Sequence, residues 1–228
     1  MKKKFMMMSK VIIIVFVPVV ILLCSLKEYA LNENFYMNEF KKYHIGQNTN
    51  IDDESLHEIA KGIVDYLKDD QKDLIIFVEK NGKRIEAFNH KEKLHMKDVK
   101  VLFQRGYFLK NLGFCFIGFA FFVMIGCSGI WKKVLGKSLM KSSVLSFVFV
   151  FCLYVLMKIN FYRYFTYFHK IFFNNDLWLL NPKTDLLIQI LPLEFFIDIA
   201  QRTLILFLGI MFLVGIIGFV VFKHFVKR

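Results

Sequence analysis

The chain has 228 residues, 56% of them hydrophobic, and its mean hydropathy of +0.46 excludes an ordinary soluble domain. Its formal net charge of +12 comes from 31 basic and 19 acidic residues, and 11 of the basic residues fall in three short segments that contain no acidic residue. Because these segments border apolar runs, the excess charge reflects membrane topology and gives no support to a nucleic-acid-binding protein.

Four apolar runs recur along the chain, and each is long enough to cross a hydrocarbon core of about 30 Å as a helix. They cover approximately residues 11–30, 108–131, 142–162 and 203–222. The first run has no small-residue cleavage site near its end, so we expect it to remain as a membrane anchor. The sequence therefore predicts an all-α polytopic protein in which residues 1–228 form a single membrane domain.

The basic segments set the predicted topology. They are the N-terminal lysines before Lys27, the 132–141 loop and the C-terminal tail from Lys223. Since cytoplasmic segments are enriched in Lys and Arg, both termini and this loop are expected in the cytoplasm. Segments 31–107 and 163–201 then lie on the extracytoplasmic face. All four cysteines fall within the apolar runs, so no disulfide is predicted in the outer segments.

An amphipathic helix and a β-hairpin are predicted in the first outer segment. Apolar residues recur at intervals of three and four within 56–67, after the acidic triplet 52–54. Two β-rich runs, 74–78 and 85–88, are joined by a stretch containing Asn81-Gly82, the dipeptide that tight hairpins prefer. Because an isolated hairpin is marginal in water, we expect it to pack on the helix as a small extracytoplasmic α+β subdomain.

A further helix is predicted over 91–104, with Asn89 as its candidate N-cap, and it leads into the second apolar run. His95 and Asp98 are three residues apart, so they share one helical face, which Arg105 continues toward the membrane. A histidine with an aspartate one turn away can be held in one tautomer and supported as it becomes positive. The same spacing also occurs in solvated His-Asp pairs, so a structural interpretation stays open.

The segment 168–196 mixes polar and apolar residues between two predicted spans. It is too polar to face lipid and too apolar for an ordinary loop, so we expect it at the membrane-water boundary. Its polar side chains must be satisfied inside the protein or in a cavity open to lipid head groups. Pro182 and Pro192 bracket a short apolar helix or re-entrant piece with Asp185 near its beginning. His169 is either a structural, hydrogen-bonded residue or part of an active site that works on a lipid.

Four motifs carry a resemblance to a known family. They are HMKDVK at 95–100, FHKIFF at 168–173, NDLWLL at 175–180 and LPLEFF at 191–196. With the four-span layout, they resemble the lipoprotein intramolecular transacylases, the Lit family of Gram-positive bacterial membrane proteins. The resemblance implies an acyltransferase that moves the sn-2 acyl chain of a diacylglyceryl-cysteine lipoprotein to the α-amino group of its N-terminal cysteine, giving the lyso form. It also implies a diacylglyceryl lipoprotein substrate presented in membrane lipid, and no cofactor is expected.

The residue inventory agrees with such a transfer. The chain contains no GxSxG nucleophile motif, and its cysteines lie in the predicted spans. An intramolecular transfer does not need an enzyme nucleophile, because the substrate supplies both the amine and the ester. We therefore predict general acid-base catalysis by His95 and His169, with Asp98 orienting His95.

Five further residues are candidates for the substrate site. Arg105 or Asn174 is a donor that can stabilise the oxyanion of a tetrahedral intermediate. Asp176, Trp178 and Asp185 are expected to hold the re-entrant segment beside the substrate.

Two alternatives from other functional classes stay open. One is a metal-dependent membrane hydrolase with His95, Asp98 and His169 as ligands, although neither an HExxH motif nor a cysteine pair supports it. Insensitivity of the activity to chelators would argue against it. The other is a non-enzymatic membrane assembly or sensing protein, which would tolerate loss of both histidines but not changes on the 52–68 helix.

Overall fold

The computed structural model describes residues 2–80, 82–127 and 129–226. In chain order its elements are α1 (Lys2–Ala30), α2 (Glu33–Lys42), α3 (Ile45–Thr49), α4 (Asp53–Lys68), β1 (Phe77–Lys80), β2 (Lys83–Glu86), α5 (His90–Cys127), α6 (Trp131–Phe172), α7 (Leu186–Ile190) and α8 (Leu193–Val226). Within the described residues, α1, α5, α6 and α8 are long and apolar enough to cross a membrane. The predicted all-α polytopic fold with four spans is therefore confirmed.

The chain forms two compact units. The apolar unit comprises residues 2–26, 106–127, 129–159 and 202–226. The polar unit comprises residues 27–80, 82–105 and 160–201, so α1, α5, α6 and α8 each contribute residues to both units. Both histidines singled out by the sequence lie in the polar unit.

Packing in the apolar unit relies on apolar clusters and on small residues. One cluster of buried side chains joins α1, α5 and α6, and a second joins α6 and α8. The backbones of α6 and α8 approach closely at Gly136 and Gly218. A Cβ atom on Gly136 would lie only 2.7 Å from the carbonyl oxygen of Gly218 and 2.8 Å from the backbone nitrogen of Phe222. Small residues permit such close helix contacts, which supply van der Waals attraction that lipid cannot replace.

The predicted amphipathic helix and hairpin form part of the polar unit. Asp52 caps α4 by accepting a hydrogen bond from the Ser55 backbone N–H at 2.7 Å, and the apolar face of α4 is buried. Strands β1 and β2 pair antiparallel, with Val78 opposite Ile85. The Glu79 backbone N–H donates to Ser55 Oγ at 3.1 Å, which joins β1 to the start of α4. The predicted α+β subdomain is thus confirmed.

The strands begin at other residues than the sequence predicted. β1 starts at Phe77 instead of Leu74, and β2 starts at Lys83 instead of Ile85. The pairing of Lys80 with Lys83 leaves a two-residue connection, which draws the basic residues into the ladder. Gly82 has φ +71°, as a tight hairpin turn requires, whereas Asn81 lies outside the described residues.

Two helices of the polar unit were not predicted. Asn32 caps α2 by accepting a hydrogen bond from the Phe35 backbone N–H at 3.2 Å. Helix α2 then buries Phe35 and Tyr36 against Phe195, with ring centroids 5.5 and 5.0 Å apart. The short α3 follows, flanked by two residues in left-handed conformation, His44 and Asn50.

Candidate active site

The first turn of α5 begins with a reciprocal capping arrangement. The Asn89 side-chain oxygen accepts from the Glu92 backbone N–H at 3.0 Å, and Glu92 Oε2 accepts from the Asn89 backbone N–H at 2.7 Å. This pairing satisfies two helix-end donors and starts the helix at His90, as the candidate N-cap at Asn89 predicted. His95 follows one turn after Glu92, so the cap determines where along α5 the imidazole projects.

His169 occupies the last turn of α6. The helix continues to Phe172, past an extended residue at Asn160 with φ −167° and ψ 90°, and therefore beyond the predicted end of the third span. The Nδ1 atom of His169 lies 2.8 Å from the carbonyl oxygen of Phe165. Because a carbonyl only accepts, Nδ1 carries the proton in the neutral ring and Nε2 carries the free lone pair.

The two imidazoles meet although they are 74 residues apart in the chain. Their ring centroids are 6.0 Å apart with an interplanar angle of 32°. Phe173 contacts both rings, at 5.3 Å from His95 and 5.6 Å from His169. Trp178 also packs against His169, with ring centroids 5.0 Å apart and an interplanar angle of 30°. One small polar group can therefore contact both imidazoles.

Burial determines the protonation state of this pair. His95 is 7% exposed, and burial, followed by the charge of His169, lowers the pKa of His95 to about 4, while the Asp98 carboxylate opposes this shift. Burial also lowers the pKa of His169, against the hydrogen bond to Phe165. Both residues precede or follow the predicted spans and do not lie within them. At neutral pH both rings are uncharged and able to accept a proton.

The Nδ1 atom of His95 is buried and has no hydrogen-bond partner among the residues that the structure describes. Asp98 accepts a hydrogen bond from Asn175 Nδ2 at 2.8 Å, and no hydrogen bond between His95 and Asp98 is present in this described part of the chain. Asp98 therefore acts on His95 through its charge in this arrangement. Asn175, which was not a predicted site residue, connects Asp98 to the segment after α6.

The predicted substrate-site residues differ in their exposure and in their distance from the two histidines. Asn174 and Asp176 are exposed on either side of Asn175, and Arg105 is also exposed. Ten residues of helix separate Arg105 from His95, about 15 Å along the axis. The structure thus brings Trp178 to His169 but leaves Arg105 about 15 Å from His95 along the helix.

Asp185 lies at the N-terminal end of α7, as expected for the short helix between the two prolines. It accepts three hydrogen bonds, from Asn89 Nδ2 at 3.0 Å, from Thr184 Oγ1 at 3.0 Å and from the Asn181 backbone N–H at 2.8 Å. These bonds outweigh the effect of partial burial and hold the pKa of Asp185 below its ordinary value. The carboxylate fixes its own loop and fastens it to the start of α5.

Sequence reasoning missed Glu92 and Lys91. Glu92 Oε1 accepts from the Leu187 backbone N–H at 2.6 Å, and Lys91 Nζ donates to the Leu179 carbonyl at 2.5 Å. The spacing of Asn89 and Glu92 is a recognisable capping signal. The contacts of Glu92 and Lys91 with residues about ninety positions away cannot be predicted from a local sequence pattern.

The ligand set of the metal-dependent alternative is not assembled. Among the residues that the structure describes, no three His, Cys, Asp or Glu side chains are grouped closely enough to hold a metal ion. His95, Asp98 and His169 are therefore not grouped as the three ligands that this alternative requires.

Comparison with known proteins identifies the family. The family model for the lipoprotein intramolecular transacylase Lit matches residues 11–196. A search of curated proteins finds no match. Among solved structures, the membrane integral lipoprotein intramolecular transacylase Lit from Bacillus cereus is similar, with 20% identity and a TM-score of 0.77, covering 100% of this chain and 96% of that one.

Two variants of the same Bacillus cereus protein, each with one histidine replaced, are also similar. The alanine variant has 19% identity and a TM-score of 0.77 over 100% of this chain and 96% of that one. The arginine variant has 20% identity and a TM-score of 0.73 over 100% and 92%. At these identities the solved structures show a shared fold, whereas the family match spans most of the sequence. The chain therefore belongs to the lipoprotein intramolecular transacylase Lit family and is a multi-pass membrane acyltransferase.

Proposed function

We propose that this protein moves the sn-2 acyl chain of a diacylglyceryl-cysteine lipoprotein to the α-amino group of the same N-terminal cysteine, with His95 and His169 as catalytic residues. The observation that carries the proposal is the meeting of two uncharged imidazoles, 6.0 Å apart, from separate parts of the chain. The product is an N-acylated lipoprotein that keeps a single acyl chain on its glycerol.

The transfer balances without water or cofactor. The α-amine nitrogen attacks the carbonyl carbon of the sn-2 ester and forms a tetrahedral intermediate with an oxyanion and a positively charged nitrogen. That nitrogen loses a proton, the carbon-oxygen bond to glycerol breaks, and the departing glycerol oxygen takes up a proton. One amide bond has formed, one ester bond has broken, and the released hydroxyl stays on the substrate.

His169 suits the role of proton carrier. Its Nε2 is free to accept, because Nδ1 is held by the Phe165 carbonyl. A free α-amine has a pKa of about 8, so a fraction is already unprotonated at neutral pH, and the base acts on the more acidic nitrogen of the intermediate. Since burial lowers the pKa of His169, its protonated form readily returns the proton to the glycerol oxygen.

His95 then stabilises the oxyanion. Its ring faces that of His169, and an N–H donor in a buried site interacts strongly with a developing negative charge. The charge of Asp98 supports any positive charge that builds up on His95. Holding amine and ester in contact contributes roughly 7 kcal/mol or more, so positioning is as important as proton transfer.

The proposed location follows from charge and hydropathy. The basic segments without acidic residues support a cytoplasmic location for both termini and for residues 132–141 at the start of α6, with the polar unit at the outer leaflet. A diacylglyceryl lipoprotein reaches the histidines from surrounding membrane lipid, and nucleic acid is not a partner.

Mass spectrometry of lipoprotein N-termini tests the proposed function. A host without other N-acylation enzymes should carry N-acylated, lyso-form lipoproteins when it expresses this protein, and free α-amines with intact diacylglyceryl groups when it does not. Unchanged diacylglyceryl N-termini in the expressing host, with the protein present in the membrane, would contradict the proposal.

A further inference from the structure

Glu92 is a buried charged residue that the proposed mechanism does not use. Its side chain is 1% exposed, and burial raises its pKa although three backbone N–H groups oppose the shift. Each of its oxygens accepts a short hydrogen bond from a backbone N–H, one from Asn89 and the other from Leu187. A buried carboxylate is costly unless it is bonded in this way, so the site is built around the carboxylate.

The first turn of α5 holds the segment after α6 at three points. Lys91 Nζ binds the Leu179 carbonyl, Asn89 Nδ2 binds Asp185, and Glu92 Oε1 binds the Leu187 N–H. We call these contacts the α5–α7 network. Of these three contacts, the bond to Glu92 is the one donated by a residue within α7.

The same segment and the same helix carry the groups of the candidate active site. Trp178, next to the Leu179 anchor, lies over His169 at 5.0 Å. His95 lies one turn beyond Glu92 on the same face of α5. The α5–α7 network therefore connects the helix bearing one imidazole to the segment whose tryptophan covers the other.

We propose that Glu92 is a positioning residue. It holds the segment after α6, which carries Trp178, against α5, so that Trp178 stays packed on His169 and His169 keeps its position beside His95. The inference rests on the proposed function for its effect on activity. Its effect on the geometry around His169 is independent of any reaction and can be measured separately.

A carboxylate is required here because both of its oxygens accept. In Glu92→Gln one oxygen becomes a donor that faces a backbone N–H, so one of the two bonds is lost in a side chain of the same size. Glu92→Ala removes both bonds. A graded loss across Glu92→Gln and Glu92→Ala is therefore expected.

Trp178 supplies the geometric readout. The chain contains two tryptophans, and Trp131→Phe leaves Trp178 as the single tryptophan, which is excited selectively over the tyrosines at long excitation wavelength. A protonated imidazole quenches a tryptophan in contact with it, so fluorescence of this parent against pH should titrate with His169. Because burial lowers the pKa of His169, the midpoint of this fluorescence titration should lie below pH 6.5.

The experiment compares Glu92→Gln and Glu92→Ala with Glu86→Gln, all in the Trp131→Phe parent. Glu86 is an exposed carboxylate of the same unit that forms an ion pair with Lys93 at 2.8 Å, so it controls for loss of a surface charge. In both Glu92 variants we expect kcat on a diacylglyceryl lipopeptide to fall on the order of tenfold to a hundredfold with KM changed less than about threefold. The fluorescence midpoint should rise toward 6.5 and the quenching amplitude should shrink, whereas Glu86→Gln should match the parent.

The outcomes separate the two proposals. A parent-like titration in Glu92→Gln and Glu92→Ala overturns the positioning role, whether or not activity falls. If the parent has no transacylase activity but the Glu92 variants titrate differently from it, the positioning role is supported and the proposed function is overturned. If Glu92→Ala does not fold, the comparison of Glu92→Gln with Glu86→Gln alone gives the decision.

Discussion

At the scale of single residues, the two histidines are held in different ways. His169 has a hydrogen-bonded Nδ1 and a tilted tryptophan ring against it, so its ring orientation is set by the protein. His95 has a buried Nδ1 without a partner among the described residues, and its ring is positioned by packing against Phe173. A ring held by packing can turn to serve the substrate, whereas a ring held by a hydrogen bond keeps one tautomer. This difference agrees with a proton carrier and an oxyanion donor.

Removal of either imidazole should abolish most of the activity. His95→Ala and His169→Ala are each expected to reduce the rate of transacylation by about 10²- to 10⁴-fold, since each removes a group that handles a proton or charge in the transition state. The measurement is the initial rate on a diacylglyceryl lipopeptide in detergent. His57→Ala, on the exposed face of α4, is the matched control and should retain the parent rate.

Stability should depend on pH through His95. Its pKa is about 4 in the folded protein and about 6.5 in the unfolded chain, so the unfolded chain binds the extra proton first. The contribution of His95 to the free energy of unfolding is fully present above about pH 6.5. It falls as the pH decreases toward 4, by at most about 1.4 kcal/mol per pH unit. Thermal unfolding of the parent and of His95→Leu measures the effect. An equal pH dependence in both proteins between pH 6.5 and 4.5 would refute it.

At the scale of elements, some features can be predicted from sequence and others cannot. The apolar runs and the amphipathic α4 follow local patterns of hydropathy, which act within one helix. Helix α2 was missed because its ten residues are mostly polar and its buried face depends on Phe195, which lies far along the chain. The His95–His169 pair was predicted from family motifs. The role of Glu92 was not, since its partner Leu187 is 95 residues away.

The close approach of α6 and α8 gives a prediction for stability. Gly136→Ala places a methyl group within 2.8 Å of backbone atoms of α8, which cannot move as a side chain can. We expect a loss of about 1–3 kcal/mol, seen as a lower thermal unfolding temperature in detergent. Gly209→Ala is the control, because a Cβ atom there meets nothing within 4 Å. If both variants unfold at the same temperature, the packing described for this pair of helices is wrong.

At the scale of the whole molecule, charge and function are segregated along the chain. The basic segments without acidic residues lie at the two termini and in residues 132–141 at the start of α6, whereas His95 and His169 lie in the polar unit. Such a division suits the proposed orientation, in which the basic segments face the cytoplasm and the polar unit handles the substrate at the outer face.

Thiol labelling of intact cells tests this orientation. In a background with Cys24, Cys115, Cys127 and Cys152 replaced by serine or alanine, Lys83→Cys in the hairpin should react with a membrane-impermeant maleimide. Lys137→Cys should react only after the cells are permeabilised. The opposite labelling pattern would place the histidines on the cytoplasmic side and contradict the proposed location.

The most direct test uses a synthetic diacylglyceryl-cysteine lipopeptide whose sn-1 and sn-2 acyl chains differ in mass. Incubated with the purified protein and analysed by tandem mass spectrometry, it should yield an amide that carries only the sn-2 chain, with the sn-1 chain still on glycerol. His95→Ala and His169→Ala should give almost none of this product. Equal amide formation by the parent and the double histidine variant, or an amide that carries the sn-1 chain, would contradict the central claim.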